Sequence, residues 1–213
     1  MSEIITSALE KYIEVHTAAV DAHLAELDRE THIKVMMPNM LSGKVQGKFL
    51  EMISHMIAPE YILEIGTFTG YSGICLAKGL VAGGKITTID INEELRGMVE
   101  RYISLEGMQD RFDLRSGDAT QIIPTLENTF DLVFIDADKT NYMQYFDLVI
   151  DKVRPGGWIL ADNVLWSGKV LEEKKDKDTQ AICAYNDKIQ ADPRVDNVII
   201  SIRDGISIAR KIG

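Results

Sequence analysis

Two groups of oxygen-bearing side chains stand at the ends of apolar, β-rich runs. Asp136 follows Leu132–Ile135, and the pair Asp162 and Asn163 follows Trp158–Leu160. Two carboxylates and an amide are hard donors. With no His or Cys beside them they suit Mg²⁺ first, or Mn²⁺ or Ca²⁺, better than a structural zinc. An Asp at a strand end also caps helices, so residue type alone leaves both readings open. Lys139 lies three residues after Asp136, where its ammonium can face the same site and either stabilise an oxyanion or accept a proton as general base. Asp138, between them, is read as the cap of the helix that follows.

A second group begins at Glu64. The run from Tyr61 to Ser72, YILEIGTFTGYS, reads as strand, glycine-containing turn and helix start. Such a turn offers unpaired N–H groups and close backbone approach at Gly66 and Gly70. Phe68 takes the position at which a dinucleotide fingerprint needs its second glycine, which argues against a nicotinamide cofactor. Glu64 suits instead a cofactor carrying ammonium and sulfonium charges. Asp90 ends the next strand, 26 residues after Glu64, and a carboxylate there is placed to accept from a ribose diol. Asp118, after a third strand, can accept from an adenine amino group. Each acid alone reads as a cap or loop residue; at successive strand ends they favour an adenosyl cofactor.

The elements that must position these groups alternate. Strands are expected over Tyr61–Ile65, Lys85–Ile89, Arg111–Arg115, Leu132–Ile135 and Trp158–Leu160, with helices over Cys75–Leu80, Leu95–Leu105 and Tyr142–Val149. Continuous apolar strands separated by helices predict an open α/β sheet covered on both faces. Val195–Ser201 and Gly205–Arg210 read as a hairpin turning at Arg203 and Asp204. Ahead of the sheet, one or two amphipathic helices are expected between Ser2 and Arg29, and another ends at Pro59. The chain thus reads as one domain, with a helical segment over 1–58 and an α/β core over 59–213.

Composition narrows the class. The 213 residues are 46% hydrophobic and 26% charged, with a net charge of −10. That field repels phosphate backbones and anionic membranes, which argues against nucleic acid as a partner. Cys75 and Cys183 stand far apart, fit no disulfide framework and read as buried on helix faces; a reducing cytoplasm fits them. No apolar run is long enough to cross a membrane, and the opening residues do not read as a secretion signal. His16, His23, His32 and His55 share no ligand spacing.

Taken in combination, the segment Glu64–Ser72, the Asp90 strand end, Asp136-Ala-Asp-Lys139, the segment Ala161–Gly168, Ala191-Asp-Pro-Arg194 and Asp204-Gly-Ile206 resemble the cation-dependent O-methyltransferases of the catechol and caffeoyl-coenzyme A group, from about residue 40 to the end. The resemblance implies a Rossmann-like class I methyltransferase fold, a mixed seven-stranded sheet with helices on both faces, S-adenosylmethionine as cofactor and a homodimer. It carries cofactor contacts onto Ser42, Glu64, Gly66, Thr67, Ser72, Asp90 and Ala119, to which Asp118 and Asp136 are added. It implies Asp136, Asp162 and Asn163 as metal ligands, Lys139 with Asp136 as the catalytic pair, and Met40, Trp166 and Asp204 as substrate contacts; Met36, Met37 and Tyr145 are further candidates for the pocket wall. The implied substrate is a small vicinal dihydroxy aromatic compound or a caffeoyl-type ester. A hydroxyuridine in transfer RNA is the alternative acceptor, opposed by the acidic charge, and a non-catalytic cofactor-binding module is opposed by Lys139 standing with all three ligand positions. Where the family often has an acidic pair before Gly47-Lys-Phe49, this chain has Val45 and Gln46.

Overall fold

A computed structural model of the chain describes residues 7–213. Helices α1 (Ser7–Val15), α2 (Ala22–Lys34) and α3 (Gly43–Ile57) precede the sheet. The start of the first expected helix, including Ile5, lies outside the described residues. From there the chain alternates: β1 (Tyr61–Ile65), α4 (Tyr71–Ala77), β2 (Lys85–Asp90), α5 (Arg96–Leu105), β3 (Phe112–Ser116), the short α6 (Ala119–Ile122), β4 (Phe130–Ile135), α7 (Tyr142–Val149), β5 (Val153–Asp162), α8 (Lys177–Ala191), β6 (Val195–Ile200) and β7 (Ile206–Lys211).

The strand order is β3-β2-β1-β4-β5-β7-β6, with β1 to β5 parallel and β7 antiparallel to both its neighbours. The chain winds outward from β1 to β3 and then returns to place β4 on the other side of β1. This reversal opens a crevice at the carboxyl ends of the strands, where open α/β sheets bind ligands. Register sets the contents of the crevice. Ile65 lies opposite Ile89 and Ile135, and Ile135 opposite Ala161, so the next residue on each strand, Gly66, Asp90, Asp136 and Asp162, emerges at one level.

Alternation in the strands feeds two cores. Leu63, Ile65, Val133, Ile135 and Ile159 pack with Phe146 and Val149 of α7 and Ile182 and Tyr185 of α8. On the other face Ile62, Leu132, Phe134 and Leu160 pack with Leu50 of α3, Ile74 of α4 and Tyr102 of α5. Glu64 shares this second face, the origin of its burial.

Several boundaries differ from the sequence reading. The helix after β1 starts four residues earlier than expected, immediately behind Gly70, and stops before Gly79, where a Cβ would lie 2.3 Å from the backbone of Ser54. β5 is longer because Arg154–Gly157 is accommodated as an irregularity opposite Phe130 and Leu132. At the amino edge of the sheet Asp131 ties the neighbouring strands together: it accepts from the N–H groups of Glu60 (2.8 Å) and Tyr61 (2.9 Å) and from Arg154 Nε (2.5 Å). The last hairpin pairs Ile200 with Ile206, so its connection is 201–205 instead of two residues. Cys75 is buried, whereas Cys183 is only half-buried. Among the described residues no helix is long and apolar enough to cross a membrane.

Candidate active site at the carboxyl edge of the sheet

The turn after β1 is built around Gly66. Its φ is +102°, and a Cβ there would fall 1.8 Å from the carbonyl oxygen of Asp136. Only glycine permits this approach, which locks the β1 turn onto the end of β4. The turn is held on its other side by Asp90, whose carboxylate accepts from the N–H groups of Phe68 (2.7 Å) and Asn92 (2.8 Å). Thr67 and Thr88 share a hydroxyl hydrogen bond of 2.6 Å. Thr88 in turn donates to Glu64 Oε2, and Ser72 to Glu64 Oε1, each at 2.6 Å.

Glu64 is therefore placed differently from the sequence expectation. Its carboxyl is fully buried beneath the turn and lines neither side of the cleft. Burial pushes it up to about 7, against two hydroxyl donors that favour the ionised form, with Asp136 and Asp90 adding to the rise. It supports the loop from behind. Asp118 caps α6, accepting from Thr120 N at 2.8 Å, and with Asp90 and Ala119 lines a cavity of about 820 Å³ that reaches Asp136 and Met40. Ser42 is buried on the neighbouring part of the cleft, beside Gly66, Thr67 and Ser72.

The second half of the cleft, about 460 Å³, brings together Asp136, Lys139, Asp162, Asn163, Trp166, Met37 and Met40. Lys139 Nζ donates to Asp136 Oδ1 at 3.0 Å and to the Tyr142 hydroxyl at 2.5 Å. That hydroxyl can donate onward to the carbonyl of Asp162 at 3.1 Å. Asp162 is buried; its Oδ1 accepts from Asn163 N and its Oδ2 from Gln46 Nε2, both at 2.8 Å. Burial raises its pKa, and the neighbouring carboxylate of Asp136 raises it further. Two acids thus share a poorly hydrated space with one ammonium. The amide of Asn163, at φ +59°, stands beside them, and a left-handed non-glycine residue at a cleft is the form strain takes at functional sites. Hard oxygens on a buried and a half-buried acid fit a divalent cation held by Asp162, Asp136 and Asn163.

Trp166 and Ser167 also lie in the left-handed region. Their loop rests on the last hairpin: Asp204 accepts from the N–H of Ser167, and its carbonyl from Leu165 N at 2.9 Å. Asp204 itself is not among the residues lining the cleft, so it positions the Trp166 loop where a substrate contact was expected. Trp166 Nε1 is buried without a protein partner, 5.9 Å separates Lys139 Nζ from the Trp166 ring, and exposed Met36, Met37 and Met40 form the opposite wall. Asp138 makes no side-chain bond to the following backbone; it accepts instead from the hydroxyls of Tyr145 (2.5 Å) and Thr140 (3.2 Å). The sequence reading missed three members of the site. Tyr142 follows Lys139 by one helical step, a signal available in the sequence. Gln46, 116 residues from Asp162, meets it only through the fold, as Arg203 meets Gln46 from 157 residues away.

Strand order, switch-point crevice and the glycine turn after β1 define a Rossmann-like methyltransferase of class I. A family model described as O-methyltransferase matches residues 14–212, and the chain belongs to that family. It is 35% identical to caffeoyl-CoA O-methyltransferase 1 of Eucalyptus globulus, over 81% of this chain and 75% of that protein. It is 33% identical to a catechol O-methyltransferase of Niastella koreensis, over 81% and 83%. Among solved structures, an O-methyltransferase from Bacillus cereus in complex with S-adenosylhomocysteine is 31% identical, with a TM-score of 0.87 over 96% of this chain and 97% of that one. One from Streptomyces achromogenes, involved in tomaymycin synthesis and bound to S-adenosylmethionine, is 26% identical with a TM-score of 0.90 over both whole chains. The protein is an S-adenosylmethionine-dependent O-methyltransferase.

Proposed function

We propose that this enzyme methylates one hydroxyl of a catechol-like vicinal dihydroxy aromatic compound and requires a divalent cation, Mg²⁺ first among the candidates, held by Asp136, Asp162 and Asn163. The observation that carries the reading is Lys139 held between Asp136 and Tyr142, in the cleft that also holds the buried Asp162. A cation held by Asp136, Asp162 and Asn163 would lower the pKa of a coordinated substrate hydroxyl. As the neutral amine, Lys139 would accept the hydroxyl proton at Nζ and become the ammonium that Asp136 holds; as an ammonium from the start, it would stabilise the oxyanion while the proton leaves to solvent. Trp166 and Met40 flank the aromatic ring and exclude water. Gly66, Thr67, Ser72 and Ser42 seat the amino-acid end of the methyl donor, Asp90 its ribose, and Asp118 with Ala119 its adenine, while Asp136 stands between donor and acceptor. Alignment of the two reactants supplies most of the acceleration.

The names of the relatives favour a caffeoyl-type ester as a second acceptor. We further propose a homodimer, supported by the apolar Leu9, Tyr12 and Val15 that α1 leaves exposed, and a cytoplasmic site of action. The deciding experiment follows methyl transfer from labelled S-adenosylmethionine to caffeic acid and to its coenzyme A thioester, with Mg²⁺ and then with EDTA. Turnover lost on chelation is expected; turnover indifferent to EDTA overturns the metal assignment.

A further inference from the structure

Gln46 is one of the few polar side chains with no exposure at all, and it lies on α3, away from the strands that carry the site. Its amide bridges two charged groups of opposite sign. The nitrogen donates to Asp162 Oδ2 at 2.8 Å, and the oxygen accepts from Arg203 Nη1 at 3.2 Å. The partners dictate the amide's orientation: the end facing a carboxylate must donate and the end facing a guanidinium must accept. The same Nη1 donates to the carbonyls of Leu41 (2.8 Å) and Ser42 (2.7 Å), and Nη2 reaches that of Asn39 at 3.3 Å. Arg203 thus fastens the segment around Met40 to the hairpin, and Gln46 joins that fastening to Asp162.

We propose that Gln46 is a positioning residue for metal binding, setting the Asp162 carboxylate for the cation and tying it through Arg203 to the Asn39–Ser42 wall. The inference rests on the metal reading above. Asp162 offers two oxygens with about four lone-pair directions. Asn163 N and Gln46 Nε2 each occupy one, and together they fix the carboxylate plane while leaving a lone pair free on each oxygen. Outer partners of this kind orient the ligands they touch, and their loss typically weakens metal binding about 10–100-fold. An amide meets both demands at this place. A carboxylate there could serve Arg203, but would set a second negative charge against Asp162 Oδ2. An apolar chain would leave the buried Asp162 Oδ2 without its donor.

The test compares the full-length parent with Gln46→Leu after chelator stripping. Mn²⁺ alone is titrated in the presence of saturating S-adenosylhomocysteine and followed by the electron paramagnetic resonance of the free ion; S-adenosylhomocysteine affinity is measured separately in EDTA by calorimetry. The expected result is an Mn²⁺ dissociation constant raised about 10–100-fold, an S-adenosylhomocysteine affinity within about two-fold of the parent, and turnover partly restored by excess Mn²⁺. If Gln46→Leu does not fold, Gln46→Asn keeps both polar ends but is too short to span Asp162 and Arg203, and the same split is expected. An unchanged Mn²⁺ affinity overturns the proposal, as does an equal loss of both affinities, which would mark general damage. A parent that binds no Mn²⁺ and turns over equally in EDTA removes the metal reading itself, and this inference with it.

Discussion

In the proposed function Lys139 carries the proton chemistry; it is the only ammonium bonded to Asp136 among the described residues. Replacing it with Met should lower kcat about 10²–10⁴-fold, the usual contribution of a positioned acid or base, while S-adenosylhomocysteine affinity stays near that of the parent. A parallel fall in cofactor affinity would instead make Lys139 a structural tie. Glu64 gives a pH prediction. Its folded value of about 7 lies above the ordinary 4.5, so its contribution to stability is complete below about pH 4.5 and is lost as pH rises through 7. Thermal melts of the ligand-free protein from pH 5 to 8 should therefore fall less steeply for Glu64→Gln than for the parent; coincident slopes would mean the carboxyl does not titrate there. Residue type and spacing placed Asp136, Lys139, Asp162 and Asn163 at strand ends beforehand, and the fold brings them into one cleft; the roles expected of them came from the resemblance. The depth of Glu64 was not legible, because it depends on which sheet face the register assigns.

The loop after β5 and the turn before β7 act as one unit. Three left-handed residues, Asn163, Trp166 and Ser167, are held by the Asp204 contact to Ser167 N. Asp204→Ala should loosen the Trp166 loop and raise the acceptor KM several-fold while leaving cofactor affinity unchanged, whereas Asp204→Asn, whose amide oxygen can still accept that N–H, should stay close to the parent. Equal effects of both changes on KM would show that the carboxylate charge meets substrate directly. At this scale the sequence was most readable where periodicity was clean: β1 and α7 match the expected Tyr61–Ile65 and Tyr142–Val149. It was least readable where packing decides. The early start of α4 follows from the Gly70 turn, the length of β5 from the irregularity at Arg154–Gly157, and the hairpin connection from Arg203 reaching back to Leu41 and Ser42.

At the scale of the whole molecule, the acidic net charge of −10 predicts that turnover of a small neutral catechol changes by less than about two-fold between 50 and 200 mM salt, unlike a reaction that must gather phosphates. A steep fall with salt would show that charge pairing, and not only fit of the ring, governs turnover of the catechol. The strand order was implied only by resemblance; alternation alone predicts parallel strands without saying that β4 returns beside β1, because that choice is made by long-range packing. The Asp131 tie at the amino edge offers a different kind of test. Asp131→Asn should weaken the bonds to Glu60, Tyr61 and Arg154 and reduce stability by about 1–3 kcal/mol, read from denaturant melts, with KM for both substrates unmoved.

That tie lies at the end of the sheet opposite the crevice. In the proposed function the acceptor contacts sit at the opposite pole of the sheet from the Asp131 tie, so changes at one are expected to leave the other undisturbed. A lineage moving to a warmer habitat could strengthen Asp131 and its neighbours, while one taking up a new methyl acceptor could rework the Trp166 loop, each leaving the other's solution intact.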